Sequence, residues 1–200
     1  MATVTIKSSG SGTGNFTLEP PTTNTDRTVV LPDEAGTLAI AENISAGITR
    51  AEQWGLTTNK TSSGNITNVA EISEDGYSGL NPGMTQSSGQ FSFPETGFWL
   101  VRFTAVFEEG SGGNDQPRFT IVYTDDNFAT DAQGVFGFCG LTDPPNEFAN
   151  TSTIEQIFNI DDVTNKKVRF QLVLMNTGNR LLGNSNGRFT NFTFIRLGDS

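Results

Sequence analysis

Apolar and polar residues alternate in short runs along most of this chain, and the runs lengthen toward its C-terminus. Between Phe98 and Phe107 the odd positions Trp99, Val101, Phe103, Ala105 and Phe107 are apolar, with Arg102 and Thr104 between them. A period of two marks a strand with one buried face. Val168, Phe170, Leu172 and Leu174 repeat the pattern against Arg169, Gln171 and Val173. Strands are expected at Ile66–Ile72, Gln90–Phe93, Phe98–Phe107, Arg118–Tyr123, Val135–Leu141, Thr153–Ile160, Val168–Leu174 and Arg188–Leu197. Turns rich in Gly, Asn and Asp join them. That spacing predicts an antiparallel sandwich or jelly roll over 56–200. About 145 residues are enough to bury a core there.

The first forty residues differ. Their apolar runs are Val4-Thr5-Ile6, Phe16-Thr17-Leu18, Val29-Val30-Leu31 and Leu38-Ala39-Ile40. Runs this short cannot close a core within one chain. Residues 1–40 are therefore expected to fold against copies of themselves, with Val29, Leu31, Leu38 and Ile40 meeting on a symmetry axis. A flexible arm that orders on binding is the alternative. In 41–55, Ile44, Ile48 and Ala51 fall at i, i+4 and i+7, which predicts a short helix or turn in a linker, with a strand near Gln53–Thr57. Gly47 weakens that helix.

Aromatic residues sharpen the division. Of 16 Phe, only Phe16 precedes residue 90. The expected core of the C-terminal part includes Phe91, Phe93, Trp99, Phe103, Phe170, Phe189 and Phe192.

Charge and candidate chemistry narrow the function. The net charge is −10, from 22 acids and 12 bases, which argues against nucleic acid as a partner. The densest basic run, Lys166-Lys167-Val168-Arg169, reads as the start of a strand after a turn. There is no His, hence neither the commonest metal ligand nor the commonest general base at neutral pH. Cys139, the single cysteine, sits in an apolar run and reads as a buried structural thiol. The start lacks a charged segment followed by an apolar one, and no 18-residue apolar run occurs, so neither a signal peptide nor membrane insertion is expected. The acid pairs Glu108-Glu109, Asp125-Asp126 and Asp161-Asp162 read as turn residues rather than as a catalytic pair. Asp125, Asp126, Asn127 and Asp131 gather hard oxygen ligands within seven residues, a weak candidate Ca²⁺ site that a solvated acidic loop explains as well. No other cofactor and no enzymatic activity are expected. Four polar loops, Glu108–Gln116, Thr124–Gln133, Leu141–Asn150 and Asn176–Asn186, are candidates for contact with a partner.

Two resemblances give these readings a direction. Residues 89-GQFSFPETGFWLVRF-103 resemble the C1q/TNF-like jelly-roll signature, in which an aromatic-x-aromatic strand leads through Pro and Gly into an aromatic-rich strand. Phe91, Phe93, Pro94, Gly97, Trp99 and Phe103 match. The chain end 188-RFTNFTFIRLG-198 resembles that family's last strand at Phe189 and Phe192, with Asn191 where Gly is frequent. Residues 28-TVVLPDEAGTLA-39 resemble the LPD-x-x-GTL element of bacteriophage tail-fibre, baseplate and appendage proteins. In physical terms, Pro32 ends one strand for want of an N–H and Gly36 frees the backbone to begin the next.

The resemblances together imply an all-β, homotrimeric virion protein assembled in the host cytoplasm. Its jelly-roll head would follow an intertwined β stem that docks to other virion proteins. The head would adhere to a host-surface polysaccharide or protein. A capsid or tail decoration or adaptor protein with no receptor is the alternative.

Overall fold

The computed structural model describes residues 47–72, 79–110, 116–130, 134–141, 149–174, 178–185 and 189–200. The chain divides into two units, Met1–Ala41 and Glu42–Ser200, and the described residues all belong to the second. The expected stem, with Val29, Leu31, Leu38 and Ile40, lies outside them.

Among the described residues every regular element is a strand. In chain order they are β1 (Arg50–Leu56), β2 (Thr58–Lys60), β3 (Gly64–Asn65), β4 (Val69–Glu71), β5 (Thr85–Ser87), β6 (Gln90–Ser92) and β7 (Gly97–Glu108). Then follow β8 (Arg118–Thr124), β9 (Gly134–Phe138), β10 (Ala149–Ile160), β11 (Lys167–Leu174), β12 (Arg180–Asn184) and β13 (Asn191–Gly198). They form two antiparallel sheets, the jelly roll expected from the alternation. In the seven-stranded sheet, β7 pairs with β10 on one side and with β13 and β12 on the other, and β1 and β4 extend it beyond β13. The six-stranded sheet runs β5-β6-β11-β8-β9, with β3 also on β11.

The inward residues of β7 behave as their period predicts: Trp99, Val101, Phe103, Ala105 and Phe107 are all buried. They meet Val168, Phe170 and Leu172 from the opposite sheet. Phe91, Phe93 and Phe192 are buried with them, and Phe103 and Phe119 pack edge to face at 5.2 Å. Offset and edge-to-face ring pairs of this kind add to the area they bury.

Four expectations need correcting. Phe189 is 44% exposed, because it precedes β13, whose inward positions are Phe192 and Phe194. In the described part of 41–55, residues 47–55, the helical stripe does not continue: Ile48 is exposed, and the strand expected near Gln53–Thr57 is β1, Arg50–Leu56, hydrogen-bonded between β13 and β4, so that Ala51 lies in a strand. The first strand among the described residues begins at Arg50. Within Ile66–Ile72 only Val69–Glu71 is strand, β4; β3 ends just before it at Asn65, and Ile66 is buried between the two. The supposed loop Asn176–Asn186 contains β12, which buries Leu181 and Leu182.

Gly97 shows what the turn before β7 demands. Its φ is +140°, and a Cβ there would stand 2.5 Å from the Gly198 carbonyl oxygen. Only glycine meets both conditions without strain. Beside it, Glu95 accepts from Arg50 at 2.7 Å and pairs with Arg196 at 3.2 Å, tying β1 and β13 to the same turn.

Candidate functional site

The register sorts the candidate loops by end. Glu108, Ala149 and Arg180 lie together, and Arg118 lies beside Phe138 and Leu174. The strand ends at Glu108, Arg118, Phe138, Ala149 and Arg180, which flank the first and third of these loops and open β12, thus lie at one end of the head. Residues 111–115, 142–148 and 175–177 lie outside the described residues. The described part of the Thr124–Gln133 loop, residues 124–130, is at the other end, where the Asn127 amide donates to the Asn165 carbonyl at 2.9 Å. That second end also holds Gly97, Ile160 and Gly198, and the chain enters β1 there opposite Arg196.

The acid pairs are not all turns. Glu108 ends β7 and is bonded to Arg180 of β12. Glu109 is buried, and neither of its carboxylate oxygens has a hydrogen-bond partner among the described residues. Asp161 and Asp162 do form a turn, where Asp162 accepts from the Thr164 and Asn165 amides at 2.8 and 3.2 Å. The thiol of Cys139 is buried, and that burial raises its pKa away from the reactive thiolate form.

In the candidate calcium loop, Asp126 is occupied by its own turn. It accepts from the Thr124 hydroxyl at 2.8 Å and from the Thr130 amide at 3.0 Å and hydroxyl at 2.5 Å. The Thr130 hydroxyl, then that of Thr124, holds its pKa below the ordinary value. Asp125 is exposed, and Asp131 lies outside the described residues. Among the described residues no three His, Cys, Asp or Glu side chains gather as a metal site needs. No helix among them is long and apolar enough to cross a membrane.

The outward face of the seven-stranded sheet is unlike an ordinary solvated face. Pairing aligns Ile157 of β10 with Leu100 of β7, Leu100 with Ile195 of β13, and Ile195 with Ala51 of β1. Ala51 in turn bridges to Leu80. This makes one apolar row across four strands of the sheet. Its ends protrude, with Ile157 55% and Leu80 51% exposed. Phe98 and Leu197 add further exposed apolar surface.

The polar residues beside this row are satisfied within the sheet. Arg102 donates to Glu155 at 2.8 Å, Gln53 to Thr193 at 3.2 Å, and the Thr104 and Thr153 hydroxyls meet at 3.2 Å. Such pairs can be covered without stranding a donor. On the β4 side of β1, Ala51, Gln53, Ile72, Gly79, Leu80 and Ile195 help line a hollow of roughly 300 Å³. The face thus carries a knob, Ile157, at one edge and a hollow at the other. Sequence reasoning missed it because outward apolar positions spaced across four strands are not adjacent in the chain.

The fold itself is that of the tumour-necrosis-factor jelly roll. The chain is similar to the solved structure of Eiger TNF from S. frugiperda, with 10% identity and a TM-score of 0.54 over 77% of this chain and 95% of that one. It is similar also to murine APRIL at pH 5.0, with 11% identity and a TM-score of 0.51 over 74% of this chain and 98% of that one. No family model and no curated protein sequence matches the chain.

Proposed function

We propose that the head assembles as a homotrimer through the outward face of its seven-stranded sheet, and that the protein is a non-enzymatic, adhesive component of a virion. The observation that carries the assembly is the apolar row Ile157–Leu100–Ile195–Ala51–Leu80 with a knob at one edge and a hollow at the other. A knob on one copy seated in the hollow of the next is a head-to-tail contact, which closes into a ring when the rotation allows. The C1q/TNF-like signature at Phe91–Phe103 supports three as the number that closes it.

The tail-fibre-like element at Thr28–Ala39 supports a virion appendage whose N-terminal segment docks to other virion proteins. The chain's entry at Arg50 and the strand ends at Glu108, Phe138 and Leu174 lie at opposite ends of the head. That arrangement suits a head held from one end and presenting the other.

Deletion of residues 1–40 tests the docking role. The remaining head is expected to stay trimeric and to be absent from assembled particles. Particles that still incorporate the deleted form would contradict the attachment assignment.

A further inference from the structure

The six-stranded sheet differs from the rest of the chain in charge. Its strands β3, β5, β6, β8, β9 and β11 contain Arg118, Lys167 and Arg169 and neither Asp nor Glu, in a chain with 22 acids. The outward alternation places these cations on one face, since Phe119, Ile121, Val168 and Phe170 point into the core.

Two aromatic rings stand on the same face. Phe136 and Phe138 of β9 are 55% and 49% exposed and pack edge to face at 5.8 Å. The Arg118 guanidinium lies 5.4 Å from the Phe136 ring, and the Arg169 guanidinium 4.4 Å from that of Phe128. Both arginines are held against rings, so less freedom is lost when they meet a ligand.

An unmet hydroxyl adjoins them. Thr120 pairs in register with Phe136 on one side and Gln171 on the other. Its side chain is 8% exposed, and its oxygen has no hydrogen-bond partner among the described residues. A buried polar atom of this kind calls for a partner.

We propose that this face binds an acidic polysaccharide. Sugar rings would lie on Phe136 and Phe138, and uronate carboxylates would meet Arg118, Lys167 and Arg169. Hydroxyls of the chain would reach the amide pair of Gln171 and Asn65, which meet at 2.7 Å. Charge complementarity selects an anion, and the exposed rings select one with flat, weakly polar faces.

An acidic peptide would naturally add a strand to the β9 edge. That edge is already engaged by β10, where Ser152 donates to the Phe138 carbonyl at 3.2 Å and Asn150 to the Gly140 carbonyl at 3.0 Å. A nucleic acid would meet three cations on a chain of net charge −10, too few to anchor a phosphate backbone. The adhesive reading supplies the kind of partner; the site does not depend on the trimer.

Titration calorimetry of the full chain with alginate, neutral dextran and poly-glutamate at low salt tests this. Saturable binding to alginate and none to dextran is expected, with binding weakened by high salt. Phe136→Ala and Arg169→Glu should each weaken it about tenfold or more with the light-scattering mass unchanged. Absence of alginate binding, equal binding of dextran or poly-glutamate, or an effect of Arg169→Glu without one of Phe136→Ala would overturn the proposal. A monomeric wild type that still binds alginate would fault the assembly and leave this face standing.

Discussion

The rings of Phe170 and Phe192 lie 4.2 Å apart, centroid to centroid, and join the two sheets at the centre of the head. Phe170 comes from β11 in one sheet and Phe192 from β13 in the other, and neither has any exposed surface. Each also touches Phe91 and Phe103, so one aromatic cluster links the core of both layers.

Phe170→Ala should therefore cost about 3–5 kcal/mol, as removal of a buried ring does. Phe189→Ala, at an exposed position outside β13, should change stability by no more than about 0.5 kcal/mol. Urea denaturation of the two variants separates these cases. Equal losses would mean that the aromatic core is misassigned.

Gly97→Ala tests the turn that begins β7. The new methyl would meet the Gly198 carbonyl at 2.5 Å in a backbone conformation that side chains disfavour. Strain at such positions costs about 1–3 kcal/mol. A thermal melt should register the loss, and an unchanged melt would show that the turn relaxes freely.

Two carboxylates should shift stability with pH in opposite senses. Glu52 is buried, and this raises its pKa although the Gly83 and Met84 amides donate to it at 3.1 and 2.7 Å. The folded state then holds its proton more tightly than the unfolded chain. Its contribution is present below the ordinary carboxylate value and is lost as pH rises through the raised one. Asp126 is shifted down by the Thr130 and Thr124 hydroxyls, so its contribution is present above the ordinary value and is lost as pH falls. Denaturation between about pH 3.5 and pH 7 should show the deficit of Glu52→Gln shrinking as pH rises and that of Asp126→Asn growing. Deficits that move together would contradict this assignment.

The long strands were legible because β7 and β11 each bury one face, and burial imposes a period of two. The same rule explains the error at Phe189. Phe192 and Phe194 share its parity test at i and i+2, whereas Phe189 and Phe192, three apart, cannot point the same way in one strand. The strand β12 was hidden because Leu181-Leu182 is flanked by Asn and Gly that read as loop. The short strands β2, β3 and β5 carry few apolar residues, and neighbours distant in sequence define them. Asn65, for instance, is placed by Gln171. The outward row Ile157–Leu100–Ile195–Ala51 is contributed by four strands, and only their pairing assembles it.

Light scattering of the full chain, beside Ile157→Glu and Ile195→Glu, tests the central claim most directly. The wild-type protein should weigh three times 21.5 kDa. A charge introduced on the apolar row should weaken the association and lower the mass of each variant while leaving its circular dichroism unchanged. A monomeric wild type, or variants that both remain fully trimeric, would contradict assembly through this face.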